Sequence, residues 1–232
     1  WAEPIVVETR SQFRADGFGY LPFSRHQVFL MPAAGGTAQQ LTQGQQDHNS
    51  ALEWLPDSSG LLLSINVKNN VNKPWDTDIV KLDIATRQLT ALTTQLGPDA
   101  IPRVSPDGKR IAWVGHKDKP SPFHEYQLYS AELDGSDFRH LTANNDLSVI
   151  DFAWHPDGQQ HYLQYEARGK NVLAVLSTAG ALSPLTDEMS GWELDQPYTQ
   201  GQFSTAAGVV AFTQGNSTTP TELAAIDHRG KV

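Results

Sequence analysis

The chain has 232 residues, of which 39% are hydrophobic and 19% charged, enough for an ordinary globular core and too apolar for disorder. Its 17 basic and 26 acidic residues give a formal charge of −9, and no basic run overrides that sign, so nucleic acid is not an expected partner. There is no cysteine, which excludes disulfides, thiolate catalysis and Cys-ligated zinc, and no apolar stretch approaches the roughly 18 residues of a membrane span.

The N-terminus, "WAEPIVVETR", shows no basic region followed by an apolar one, so no signal peptide is legible there. The compartment stays open between cytoplasm and bacterial periplasm. A first unit, near 1–42, has an Asp16-Gly17 turn in "RADGFGYL", a Gly35-Gly36 turn, and ends in Leu41-Thr42. A second, near 43–93, has Pro56-Asp57, a variable loop "VKNNVNKPWDT" over 67–77, a turn at Thr86-Arg87, and ends in Leu92-Thr93. The third, near 94–142, holds "VSPDGKRIAWVG", a strand, a Pro-Asp-Gly turn and a second strand. Strands are predicted there over 101–104, 110–115, 127–133 and 138–142, with a variable loop over 116–126. The fourth, near 143–186, has Pro156-Asp157-Gly158, Ala179-Gly180 and Leu185-Thr186. The fifth, near 187–232, opens with an insertion over 187–201, carries a degenerate turn at Gly208, and lacks the outer strand and the Leu-Thr pair.

The three Pro-Asp pairs begin at Pro56, Pro106 and Pro156, an even spacing of 50 residues, and the Leu-Thr pairs keep step with them. Each unit therefore reads as four short antiparallel strands. The second strand is apolar on both faces, as a sheet sandwiched between neighbours requires. No segment shows a sustained helical period, and 18 Gly with 14 Pro suit a turn-rich chain. The predicted fold is all-β: a single β-propeller domain of four-stranded antiparallel blades, about five in this chain. It is either a ring closed by the N-terminal segment or a piece of a larger ring. An open arc would leave edges unpaired, making a homo-oligomer an additional expectation.

The chemistry-bearing residues are sparse. No G-x-S-x-G nucleophile elbow occurs, so no catalytic residue is assigned. His124-Glu125 and the pair His155 and His161 lack metal-ligand spacing. Asp76-Thr77-Asp78 resembles the start of a calcium loop, but nothing completes it, and a solvated acidic loop is the simpler reading. No metal or cofactor is expected. Asp57, Asp107 and Asp157 occupy equivalent turns, where local hydrogen bonding explains an Asp. Trp54, Trp113 and Trp154 read as packing between units. Function on a repeat scaffold concentrates in variable loops, which nominates Trp75, Asp76, Phe123, His124 and Trp192 as substrate- or domain-facing residues. For the three aromatics the competing reading is a cap on a blade edge.

"FRADGFGYLPFSRHQVFLMPAAGGTAQQLT", "VSPDGKRIAWVG", "LYSAELDG" and "ELAAIDHRG" together resemble the propeller of prolyl oligopeptidase family serine peptidases, most of all the acylaminoacyl-peptidase and dipeptidyl-peptidase-like branch. The resemblance implies a C-terminal α/β-hydrolase domain with a Ser-Asp-His triad, absent from this chain, and a propeller that gates peptide access to it. The expected partners are that hydrolase domain and a peptide substrate. The Glu-Glu pair of some dipeptidyl peptidases does not occur here. Two alternatives stand beside this: a stand-alone protein-binding propeller resembling the periplasmic protein of the Tol system, and a five-bladed glycosidase or lectin.

Overall fold

The structure is a computed structural model describing residues 5, 7–10, 13–17, 19–21, 24–48, 50–119, 121, 123–191 and 200–227. The described residues contain strands and turns and no helix. Two short hairpins come first, β1 (Arg14–Ala15) with β2 (Gly19–Tyr20), and β3 (Phe29–Leu30) with β4 (Gln39–Gln40). A four-stranded sheet follows in chain order: β5 (Glu53–Trp54), β6 (Gly60–Ile65), β7 (Asp78–Asp83), β8 (Leu89–Ala91). A second repeats it: β9 (Asp99–Val104), β10 (Arg110–Gly115), β11 (Gln127–Glu132), β12 (Arg139–His140). The four strands predicted over 101–142 are thus present, with the inner one two residues longer at its start and the outer one shorter.

The rest forms one larger sheet. β13 (Ser148–Trp154), β14 (His161–Ala167), β15 (Lys170–Leu176) and β16 (Leu182–Met189) pair in order. β17 (Phe203–Ala206), β18 (Val209–Asn216) and β19 (Thr219–Asp227) follow, with β18 between the other two. Met189 opposite Gln214 is the one register pair among the described residues that joins the two groups. Here the expected marker behaves differently: β16 runs through Leu185-Thr186 to Met189 instead of ending at it. All the pairings are antiparallel.

The period-2 rule for strands explains the packing. Leu61, Leu63 and Ile65 of β6 join Val28 and Leu41 in one buried cluster, while Leu62 points the other way. Leu62 meets Ile111, Trp113 and Tyr129 of the next sheet. The alternate residues Ala112 and Val114 turn to Phe152, Leu163 and Ala174. Tyr162 and Leu173 then meet Val210, Phe212 and Ile226. Apolar clusters therefore lie between successive units, and the second strands of the three middle units, β6, β10 and β14, are buried on both faces. Trp113 sits in such a cluster, and Trp154 packs against one while its Nε1–H donates to the Arg103 carbonyl of the preceding sheet. Trp54 departs from the expectation: it is 48% exposed.

The sequence markers have physical causes. In each Pro-Asp turn the Asp Oδ1 accepts a backbone N–H two residues on, from Ser59 at 3.0 Å, Lys109 at 3.1 Å and Gln159 at 2.8 Å. A Cβ placed on Gly108 would lie 3.4 Å from the Pro56 ring, and one on Gly158 3.9 Å from the Pro106 ring. Successive turns therefore sit side by side. In the first three units the Thr of the Leu-Thr pair accepts an N–H at the start of the third strand: Val28 to Thr42, Ile79 to Thr93 and Leu128 to Thr142, at 2.8, 2.9 and 3.0 Å.

Candidate functional site

Antiparallel order gives every unit two ends. The tight turns lie at one, and the long connections over 66–77 and 116–126, with the passages from unit to unit, lie at the other. The loop end is where the units cease to be alike, and its loops are built from the strand roots upward.

Asp99 begins β9 and is fully buried. Its Oδ1 accepts Trp113 Nε1–H at 2.9 Å and Gln95 Nε2–H at 2.8 Å, and its carbonyl accepts the hydroxyls of Ser64 and Thr77. Gly115, which closes the "VSPDGKRIAWVG" stretch, has to be small there. A Cβ on it would come 2.5 Å from the Pro98 carbonyl and 2.6 Å from Asp99 Oδ1. Asp76 is buried too, accepting the Gly97 N–H at 3.0 Å and pairing with Lys68 Nζ at 3.1 Å. Asp78 completes the group. Burial pushes its carboxyl up to about 6, with Lys68 opposing and the Asp99 and Asp76 charges adding to the rise. Burial likewise pushes Asp99 up, against its hydrogen bonds from Thr93, Gln95 and Trp113. Among the described residues no three His, Asp or Glu side chains are grouped to hold a metal ion.

Of the residues nominated from the sequence, Asp76 is an inward-facing anchor of its loop. Trp75, next to it, is 50% exposed and Phe123 is 87% exposed. His124 stacks on His116, with centroids 4.2 Å apart and planes 15° from parallel, and its Nε2 lies 3.0 Å from the Lys119 carbonyl. Tyr126 meets His116 edge-on at 5.0 Å. Burial holds the His116 imidazole below its ordinary value. The structure brings the two loops together through Lys73 Nζ and Asp118 Oδ2 at 2.6 Å. Trp192 lies outside the described residues.

Two concavities accompany these loops. The first strands of successive units line a cleft of about 390 Å³, with Glu53, Arg103, Trp154 and Thr205 among its residues. The carboxylate that lines it is engaged. Glu53 accepts the Val104 N–H at 3.3 Å, and Asp151, next to the cleft in sequence but not among its lining residues, pairs with Arg103 at 2.8 Å and accepts the Phe152 N–H at 2.8 Å. Ile101, in the bulge of β9, has φ 53°, a strained value for a β-branched residue. The second concavity is a groove of about 670 Å³ at the loop end, between the first unit and loop 66–77. Arg25, His26 and Asp47 face Asn66, Asn69 and Asn70 across it. Sequence reading missed this groove because its walls come from two units. The one local signal was the amide-rich run "NVKNNVNK".

No family model matches the chain. It is 24% identical over 140 residues to dipeptidyl-peptidase 5 of Porphyromonas gingivalis, covering 57% of this chain and 20% of that protein. It superposes on the acylaminoacyl peptidase of Pyrococcus horikoshii with a TM-score of 0.70 at 15% identity, over 98% of this chain and 33% of that one. TolB from Acinetobacter baumannii gives 0.61 at 22% identity, over 89% and 47%. The chain thus spans a fifth of the curated relative and less than half of either structure. At these identities the likeness establishes the fold, an all-β chain like those of known propellers. The resemblance to prolyl oligopeptidase and acylaminoacyl-peptidase proteins, read first from motifs, is also found in the structural comparison.

Proposed function

We propose that this chain is the non-catalytic β-propeller portion of a serine peptidase of the prolyl oligopeptidase type. In this reading it has five blades, near 1–42, 43–93, 94–142, 143–186 and 187–232. It docks an α/β-hydrolase domain of the same parent protein and gates the access of peptides to it. The observation that carries the reading is the match to acylaminoacyl peptidase, which takes in 98% of this chain and only 33% of the peptidase. The absence of a G-x-S-x-G elbow from the 232 residues supports it, since the nucleophile then has to come from elsewhere. The loop end, with Trp75 and Phe123 exposed on loops tied by an ion pair, is the rim that would face substrate or hydrolase.

The parent reading frame beyond Val232 tests this directly. An α/β-hydrolase sequence with its nucleophile elbow is the expected finding, and a stop codon there overturns the proposal. The isolated chain is expected to cleave neither acyl-peptides nor p-nitroanilides. Turnover that survives repurification and disappears on mutating a serine of this chain would also overturn it. One observation favours a second reading, a protein-binding propeller resembling TolB: 22% identity over 89% of the chain. A stop codon after Val232, together with a specific protein partner in pull-down, would select that reading.

A further inference from the structure

The groove between the first unit and loop 66–77 has the attributes of a built ligand site. Its volume, about 670 Å³, falls within the ~300–1,000 Å³ of small-ligand pockets. Ile65, Val71, Pro74 and Leu21 give it an apolar lining. Within its loop wall Asn66 bridges the backbone, beside the anchors Asp76 and Lys73. Asn66 Nδ2 donates to the carbonyls of Asn70 and Lys73 at 3.1 and 2.8 Å, and its Oδ1 accepts the Asn70 N–H at 3.1 Å. That leaves the side chains of Asn69 and Asn70 on a fixed backbone beside the groove.

The charges on the opposite wall are unevenly paired. Arg10 is held by Glu8 at 3.1 Å and by the Leu21 carbonyl at 3.0 Å. Asp47 Oδ1 receives both the His26 N–H, at 2.9 Å, and the ring Nδ1, at 2.8 Å. Arg25, among the described residues, contacts only carbonyls, those of Gln45 at 2.9 Å and Ser24 at 3.4 Å. Among the described residues no carboxylate lies within ion-pair distance of it. In a chain of net charge −9, this groove presents a guanidinium with donors to spare. Such a fork recognises a planar carboxylate in bidentate fashion. A monoanion balances the single open charge of Arg25. A phosphate dianion would exceed it and sit beside Asp47.

We propose that this groove binds the free C-terminal carboxylate of a short extended peptide. Arg25 pairs with the carboxylate, the peptide's apolar side chains lie over Ile65 and Val71, and the amides of Asn69 and Asn70 meet its backbone. The assignment rests on the peptide-handling reading above and adds to it the end of the peptide that is recognised.

Calorimetric titration of the chain with the tetrapeptide Ala-Leu-Ala-Leu, as free acid and as C-terminal amide, tests it. The acid is expected to bind ~10-fold or more tightly than the amide, the scale of one charge-assisted hydrogen-bonded pair. Arg25→Gln is expected to erase that preference while leaving the melting temperature unchanged. Equal binding of acid and amide, no binding of either at millimolar concentration, or a preference that survives Arg25→Gln overturns the proposal. So does inorganic phosphate displacing the acid more effectively than acetate does, since that outcome assigns the groove to a phosphoryl group. The two proposals fail separately. A stop codon after Val232 leaves the acid preference untouched, and loss of the preference leaves the reading frame as it is.

Discussion

The two ends of the repeated unit use the same side chain in opposite ways. At the turn end, Asp57, Asp107 and Asp157 lie in tight turns that solvent reaches, and each is held below the ordinary carboxylate range. Hydrogen bonds from Ser59 do this for Asp57, and the Ser105 hydroxyl with the Lys109 N–H for Asp107. Burial works against Asp157, but bonds from Gln160 and Gln159 outweigh it and hold the group at about 2. At the loop end Asp78 and Asp99 are buried, are pushed upward, and each keeps one oxygen without a partner among the described residues. A carboxylate that recurs at a fixed spacing closes its own turn. One that does not recur holds together segments distant in sequence, and the rest of the structure bears its desolvation.

The sharpest break of that comparison is to truncate one Asp at each end. Asp99→Ala leaves the buried Trp113 Nε1–H and Gln95 amide without their acceptor, and a loss of about 2–4 kcal/mol is expected. Asp107→Ala removes a turn bond that water replaces, and the melting temperature is expected to fall by only about 2–4 °C. Urea denaturation of both variants decides it. An Asp107→Ala loss equal to that of Asp99→Ala would show that the turn end carries as much stability as the loop root.

The same contrast explains what was legible in the sequence. Pro56-Asp57, Pro106-Asp107 and Leu92-Thr93 are readable because each function is satisfied within 14 residues, and three units repeat each of them. The two-faced burial of 110–115 was readable because alternation needs nothing but a sheet on each side. Asp99 was not readable. Its partners, Ser64, Gln95 and Trp113, belong to two units and share no local pattern. Asp76 looked like a solvated loop residue because its neighbours are polar, whereas its partners Lys68 and Gly97 come from eight residues before and 21 residues after. Arg25 gave no signal at all, since what marks it is that no carboxylate among the described residues lies within ion-pair distance.

A smaller effect sharpens the comparison through pH. The Asp78 carboxyl stands near 6 in the fold against 3.8 unfolded, so the folded state binds more protons between those values. Stability from this group is therefore lost as pH rises from about 4 to about 6, the reverse of the turn-end carboxylates, which lose theirs as pH falls. Asp78→Asn mimics the protonated form. It is expected to match the parent near pH 4 and to exceed it by about 1–3 kcal/mol above pH 6.5. Melting curves across that range check the sign. A variant less stable than the parent at pH 7 would mean that the attraction of Lys68 outweighs burial at Asp78.

The smallest expected effect returns to the turn end, where the units are most alike and one differs. The turn residue that is Gly108 in the third unit and Gly158 in the fourth is Ser58 in the second. All three have positive φ, at 73°, 67° and 59°. An L side chain in that region costs about 1–2 kcal/mol, and glycine's larger unfolded-state entropy offsets roughly half of it. Ser58→Gly is thus expected to stabilise the chain by about 0.5–1 kcal/mol, raising the melting temperature by ~1–4 °C. Gly108→Ser is expected to do the reverse by a similar amount. A Cβ there meets the Pro56 ring at ordinary contact distance, so backbone strain alone sets the cost. If Ser58→Gly instead lowers the melting temperature, the turns are not interchangeable. The regularity of this end would then belong to its hydrogen bonds and not to its backbone.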